Sequence, residues 1–179
     1  SEAKSLLIRV TRNCQWNRCS FCPVYKNREF SLRSVNDVIS DIEILSRHIS
    51  RLQETFTSPC ELTGERLGSL RRGFSSTEES AFNHALKWYM DGMHSVFLQD
   101  ADSLTIGSEN LVKILAYLRE KFPWIERITT YSRSSTILNV GDEGLSSLRD
   151  AGLNRIHVGL ESGSNAVLKL VKKGATQDM

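Results

Sequence analysis

The sequence predicts an α/β fold in which a parallel sheet is covered by helices. Two observations predict it. Short apolar segments with strand character alternate with segments whose apolar residues recur at helical spacing, and each strand candidate is followed by a polar or glycine-bearing turn. In parallel α/β folds these turns collect at one end of the sheet, where ligands bind. Candidate site residues are therefore those just after each strand.

Ser5–Val10 (SLLIRV) reads as a buried strand that ends just before a cysteine-bearing loop. Ser34 then reads as a helix N-cap, with Asp37 at the capping-box position. Val35, Val38, Ile39, Ile42, Leu45, Ile49 and Leu52 follow along one stripe. Gln53–Ser76 shows no clear periodicity and holds Pro59, Gly64, Gly68 and Gly73, which predicts a loop or insertion. Its basic stretch Arg66–Arg72 reads as solvated loop.

The next helix spans Thr77–Asp91, with Gly92 suited to end it. Ser95–Gln99 is a strand, and Ser108 is expected to cap a helix that Pro123 stops. Arg127–Tyr131 is a strand, Asp142–Ala151 a short helix closed by Gly152, and Arg155–Leu160 a fourth strand. Ser164 caps a last helix ending near Gly174. The reading is one domain over residues 1–179, with an insertion at about 53–76.

Composition narrows the function classes. Hydrophobic residues make up 40% and charged residues 25%, as in an ordinary soluble domain. A net charge of +2 gives no argument for nucleic acid or a membrane surface. No apolar run approaches the ~20 residues of a bilayer span, and SEAKSLLIRV lacks the pattern of a signal peptide. Four cysteines in this length do not form a disulfide scaffold. Three of them fall close together, which points to metal in a reducing compartment and so to the cytoplasm.

The loop Thr11–Lys26 reads TRNCQWNRCSFCPVYK, with Cys14, Cys19 and Cys22 spaced C-x4-C-x2-C. Thiolates suit iron–sulfur clusters and zinc, and a closed structural site normally takes four protein ligands. Only three are local, since none of His48, His84, His94 and His157 is near in sequence. Three cysteines on a four-iron cluster leave one iron open, as a substrate-binding cluster requires. The other reading is a closed zinc or redox site completed by Cys60 or a distant histidine. Unligated core cysteines fit poorly, because Asn13, Gln15, Asn17, Arg18 and Ser20 make the loop polar.

On these residues the chain resembles the radical S-adenosylmethionine superfamily. It is most similar to uncharacterised iron–sulfur oxidoreductases related to oxygen-independent coproporphyrinogen oxidases. The superfamily's usual spacing is C-x3-C-x2-C, so this loop has one extra residue between Cys14 and Cys19. Sub-families with the longer gap and an N-x-C-x-F-C ending exist. The resemblance implies a partial TIM barrel and a [4Fe–4S] cluster whose fourth iron is chelated by S-adenosyl-L-methionine. It also implies that Phe21 packs near the adenine, though an apolar residue there equally reads as core. The family's core has six βα units and only four strands are visible here, so the chain is expected to be truncated at its carboxyl end.

The remaining strand ends supply further candidates. QDADS carries Asp100 and Asp102 where the superfamily often has a Gly-Gly-Glu-like turn facing the cofactor's amino group. A carboxylate against an ammonium makes a charge-assisted hydrogen bond, but both aspartates also suit a turn cap. In YSRSS, Arg133 offers a planar fork to the cofactor's carboxylate, or is a plain loop cation. ESGS is the second close match, and the resemblance implies that Glu161, with Ser162 beside it, contacts the cofactor's ribose or amino group. His157, inside the strand, reads as packed.

The implied reaction is reductive cleavage of S-adenosylmethionine to a 5′-deoxyadenosyl radical that acts on an unknown substrate. The electron would come from a donor such as flavodoxin or ferredoxin. The competing class is a non-catalytic zinc or iron–sulfur module with four ligands.

Overall fold

The structure, a computed structural model, describes residues 2–179. Its centre is a parallel sheet of β1 (Leu6–Arg9), β4 (Ser95–Gln99), β5 (Arg127–Ser132) and β6 (Arg155–Val158), hydrogen-bonded in that order. The register pairs Leu6 with Val96, Val96 with Ile128, and Thr130 with Ile156. Every pairing is parallel, so all four strand ends that lead into turns lie on one side. The sheet is open, as expected for part of a barrel.

Strand residues alternate between two faces. Leu6, Ile8, Val96, Leu98 and Ile128 are buried on the face that the helices cover. The other face carries Leu7, Arg9, Phe97, Gln99, Tyr131 and His157, and is partly open. Two short strands, β2 (Thr11–Arg12) and β3 (Ser31–Leu32), pair antiparallel and close the base of the cysteine loop.

The helices are α1 (Val35–Thr55), α2 (Gly64–Arg71), α3 (Ser76–Met90), α4 (Ser108–Lys121), α5 (Ser134–Asp150) and α6 (Asn165–Leu170). The Ser34 cap forms, its side chain accepting the Asp37 amide. The stripe predicted from the sequence is buried at Val38, Ile42, Leu45, Ile49 and Leu52. Helix α3 starts with a complete capping box between Ser75 and Glu78.

Four expectations are corrected. The stretch 53–76 is not all loop: α1 runs on to Thr55, and α2 lies within it, capped by Thr63. Helix α2 fully buries no residue; only Leu67 and Leu70 pack against the core, too few in eight residues for a periodicity argument. Its arginines are not simply solvated, because Arg66 lies over Phe56 and Arg71 over Phe82 at 4.6 and 5.3 Å. Ser108 does not cap α4; Gly107, at φ 90°, holds the N-cap position and Ser108 starts the helix. Helix α5 begins at Ser134, not Asp142, and breaks at Gly141, whose φ of 67° ends one regular segment before the next.

Candidate functional site

The cysteine loop leaves β2 and returns through β3 across the carboxyl end of the sheet. Its turns are built on asparagines. Asn13 and Asn17 have φ of 63° and 40°, a region in which Asn costs less than most residues. The Asn13 side chain donates to the Glu29 carbonyl at 2.6 Å, and that of Asn17 to the Tyr25 carbonyl at 2.5 Å. Each asparagine thus ties the outgoing limb to the returning one. The Asn17 amide also points at Cys14 Sγ, 3.5 Å away.

Both aspartates of QDADS brace this loop. The Asn13 amide donates to Asp100 Oδ2 at 3.0 Å, and Arg9 pairs with the same oxygen at 3.5 Å. Asp102 is 1% exposed and accepts from Ser132 Oγ at 2.7 Å, Gln15 Nε2 at 3.1 Å and Thr136 Oγ1 at 2.5 Å. It therefore joins the loop to the end of β5 and the first turn of α5. Burial pushes the Asp102 carboxyl above its ordinary value, against the lowering effect of the Thr136 and Ser132 hydrogen bonds.

Cys14, Cys19 and Cys22 are free thiols of intermediate exposure, and all three open into one cavity of about 440 Å³. Phe21, Arg133 and Glu161 open into it as well. Asp100, Asp102 and Ser162 do not line it. The Ser162 hydroxyl accepts the Ser164 amide at 3.1 Å. Glu161, at φ 62°, pairs with Lys173 Nζ at 2.9 Å, and a side-chain carbon on Gly159 would sit 2.6 Å from its carboxylate. Gly159 is thus the space in which this ion pair sits.

Membership follows from the whole chain. The sequence model of the Radical SAM superfamily matches residues 8–179. The chain belongs to the radical SAM superfamily. No curated protein and no solved structure gave a match. The radical SAM match takes in the cysteine loop and all four strand ends, so the shared cavity lies inside the family core. Members of this superfamily are generally enzymes.

Three free thiols around one cavity are soft donors that would suit an iron–sulfur cluster. Among the described residues, no group of three or more His, Cys, Asp or Glu side chains could hold a metal ion. A cluster binds its cysteines at separate irons, so it needs three thiols around one cavity rather than converged on one point. Cys60 is not among them. Helix α1 runs the ~30 Å expected of 21 helical residues, from the cysteine loop toward the opposite end of the sheet. There Tyr89 donates to the Phe56 carbonyl at 2.9 Å, and Trp88 to the Ser95 carbonyl at the start of β4. Cys60 follows Phe56 at that far end and is exposed. That position takes it out of any closed site with the other three.

Several lining residues were not read from the sequence. His157 is exposed in the cavity rather than packed in the core, and it stacks edge-on to Tyr131 at 5.7 Å. Its alternation along β6 placed it on the open face, a signal that was available. Trp16, Tyr25 and Lys173 also line the cavity. Tyr25 has its phenol raised by burial first, then by Asp100 and the cysteines. Lys173 carried no signal, since it comes from a segment beyond the last helix. No helix among the described residues is long and apolar enough to cross a membrane.

Proposed function

We propose that this chain is a radical S-adenosylmethionine enzyme, with a [4Fe–4S] cluster held by Cys14, Cys19 and Cys22 and with a substrate still to be identified. The observation that carries this reading is the cavity shared by the three free thiols, Phe21, Arg133 and Glu161. When bound, the cluster and S-adenosyl-L-methionine supply one-electron chemistry, namely reductive cleavage of a carbon–sulfur bond and removal of a hydrogen atom from substrate.

The residues divide the remaining work. The three thiolates hold the metal and leave one coordination position open. Phe21, 48% exposed beside the cysteines, offers an apolar face for the adenine. Glu161 accepts hydrogen bonds from hydroxyl or ammonium groups, and Ser162 holds the turn that presents it. Arg133 adds positive charge at the cavity wall. Asp100 and Asp102 act on the cofactor through the loop they brace. Electrons come from a small carrier such as flavodoxin or ferredoxin, and the free thiols suit a reducing cytoplasm.

Anaerobic reconstitution tests the proposal. Iron and sulfide are assayed per chain, and S-adenosylmethionine is then incubated with the dithionite-reduced protein. Iron at cluster stoichiometry and formation of 5′-deoxyadenosine are expected. Stoichiometric zinc without cleavage would overturn the reading.

A further inference from the structure

The segment Val171–Gly174 (VKKG) lies beyond α6, yet each of its four residues touches the site. The Ser20 amide, between two of the cysteines, donates to the Val171 carbonyl at 2.9 Å. Trp16 Nε1, also in the cysteine loop, donates to the Lys172 carbonyl at 2.8 Å. Arg133 Nη2 donates to the carbonyls of Lys173 and Gly174 at 2.9 and 3.1 Å. The Lys173 ammonium reaches back to Glu161 and lies 5.8 Å from the Phe21 ring centre.

The packing is as specific as the hydrogen bonding. The Arg133 guanidinium sits 4.6 Å from the Trp16 ring centre, and Gly174 abuts the same indole. A side-chain carbon on Gly174 would lie 2.2 Å from Trp16 Cζ2, so only glycine fits there, and its φ of 67° also favours glycine. Lys172, at φ 53°, accepts a left-handed backbone in the same turn. A chain held by four carbonyl contacts, an ion pair and an aromatic clamp is a docked strap, and the loop beneath it carries the cysteines.

We propose that Trp16 and Arg133 are positioning residues that lock the VKKG segment onto the cysteine loop and so hold the three thiols in the shape that retains the cluster. This inference rests on the cluster reading given above. Arg133 then has a structural target, two adjacent carbonyls that its Nη2 reaches together, in addition to its place at the cavity wall. Hydrogen bonds from a charged donor are the stronger kind, so Arg133 contributes more than the neutral indole N–H.

The test compares wild type with Arg133→Met, Arg133→Lys and Trp16→Phe as full chains. Two measurements are made: the rate at which reconstituted protein loses iron to a chelator, and hydrogen exchange of the Ser20 amide in the metal-free protein. Arg133→Met should lose iron about tenfold faster than wild type and expose the Ser20 amide, the size of effect expected for a charged hydrogen bond. Trp16→Phe keeps the ring and loses only the donor, so a smaller acceleration is expected. Arg133→Lys should recover part of the retention, because it restores a charged donor without the fork. Melting temperatures of the metal-free proteins are recorded alongside. Variants that melt lower yet match wild type in iron release and Ser20 exchange would overturn the inference. A wild-type chain that takes up no iron would instead sink the cluster reading itself.

Discussion

The two ends of the sheet are built from different materials. At the amino end Trp88 meets Phe122 edge-on at 5.1 Å, Phe56 and Tyr89 are buried, and the turns carry few buried polar groups. At the carboxyl end a buried carboxylate, Asp102, is surrounded by Ser132, Thr136 and Gln15. Among the described residues, five of the six non-glycine residues with left-handed φ lie in or against the cysteine loop, and Met93 sits at the other end. Buried polar groups and unusual backbone cost free energy, and they persist where the surrounding structure holds them for a purpose. One end of this protein is stabilised by packing, and the other is shaped by hydrogen bonds.

The largest effects should separate the two ends completely. Cys19→Ala is expected to reduce iron from about four per chain to near none, while the chain still folds. Phe122→Ala, at a fully buried amino-end site, should cost about 3–5 kcal/mol by denaturant unfolding. The chains that remain folded should still bind iron. Loss of iron binding in Phe122→Ala at full folding would erase the distinction.

Asp102→Ala comes next. It removes the common acceptor of three donors and leaves them unmatched in a buried place, at a cost of about 2–3 kcal/mol. Chelator-driven iron loss should also quicken, because Gln15 is released from its anchor. Unchanged stability would show that water replaces the carboxylate freely.

A smaller contrast lies in pH. His48, 5% exposed, is held between Phe74 and Phe82, and its pKa is lowered by burial first and then by Arg51 and Arg47. The unfolded chain therefore binds its proton more readily than the native one. This contribution is present above the ordinary histidine value of ~6.5 and is lost as pH falls below it. Asp102 has the opposite sign. Its raised pKa makes the native state hold a proton longer, so its contribution is present at low pH and is lost as pH rises from the ordinary aspartate value, ~3.9, through the raised native one. Unfolding free energies between pH 7 and pH 5 should fall less in His48→Leu than in wild type. Asp102→Asn should flatten the acid side of the profile. Equal slopes in wild type and His48→Leu would remove the histidine from the account.

The smallest expected effect is at Cys60, exposed at the amino end. Cys60→Ala should leave iron content unchanged and shift stability by no more than about 0.5 kcal/mol. Loss of iron there would place a fourth ligand where the fold does not put one.

Local chemistry determined much of this in advance. The alternation of apolar strands and striped helices specified a parallel α/β sheet, because each pattern has only one way to bury its apolar face. The cysteine spacing, Glu161 and Arg133 were legible because strand ends collect at one side of such a sheet. Helix α2 and the first half of α5 were not legible, since α2 is short with only Leu67 and Leu70 against the core, and Gly141 interrupted the other. The division of labour between the carboxylates was settled only by tertiary structure. Asp100 and Asp102 are adjacent in chemistry and nearly so in sequence, and only the neighbours brought in by β5, α5 and the loop show that both brace the cysteines. Lys172 and Trp16 meet across most of the chain's length, and no local pattern encodes a contact of that separation. The sequence placed the cysteines, Arg133 and Glu161 after strands of one sheet, and the fold decided which other residues share their cavity and hold them in place.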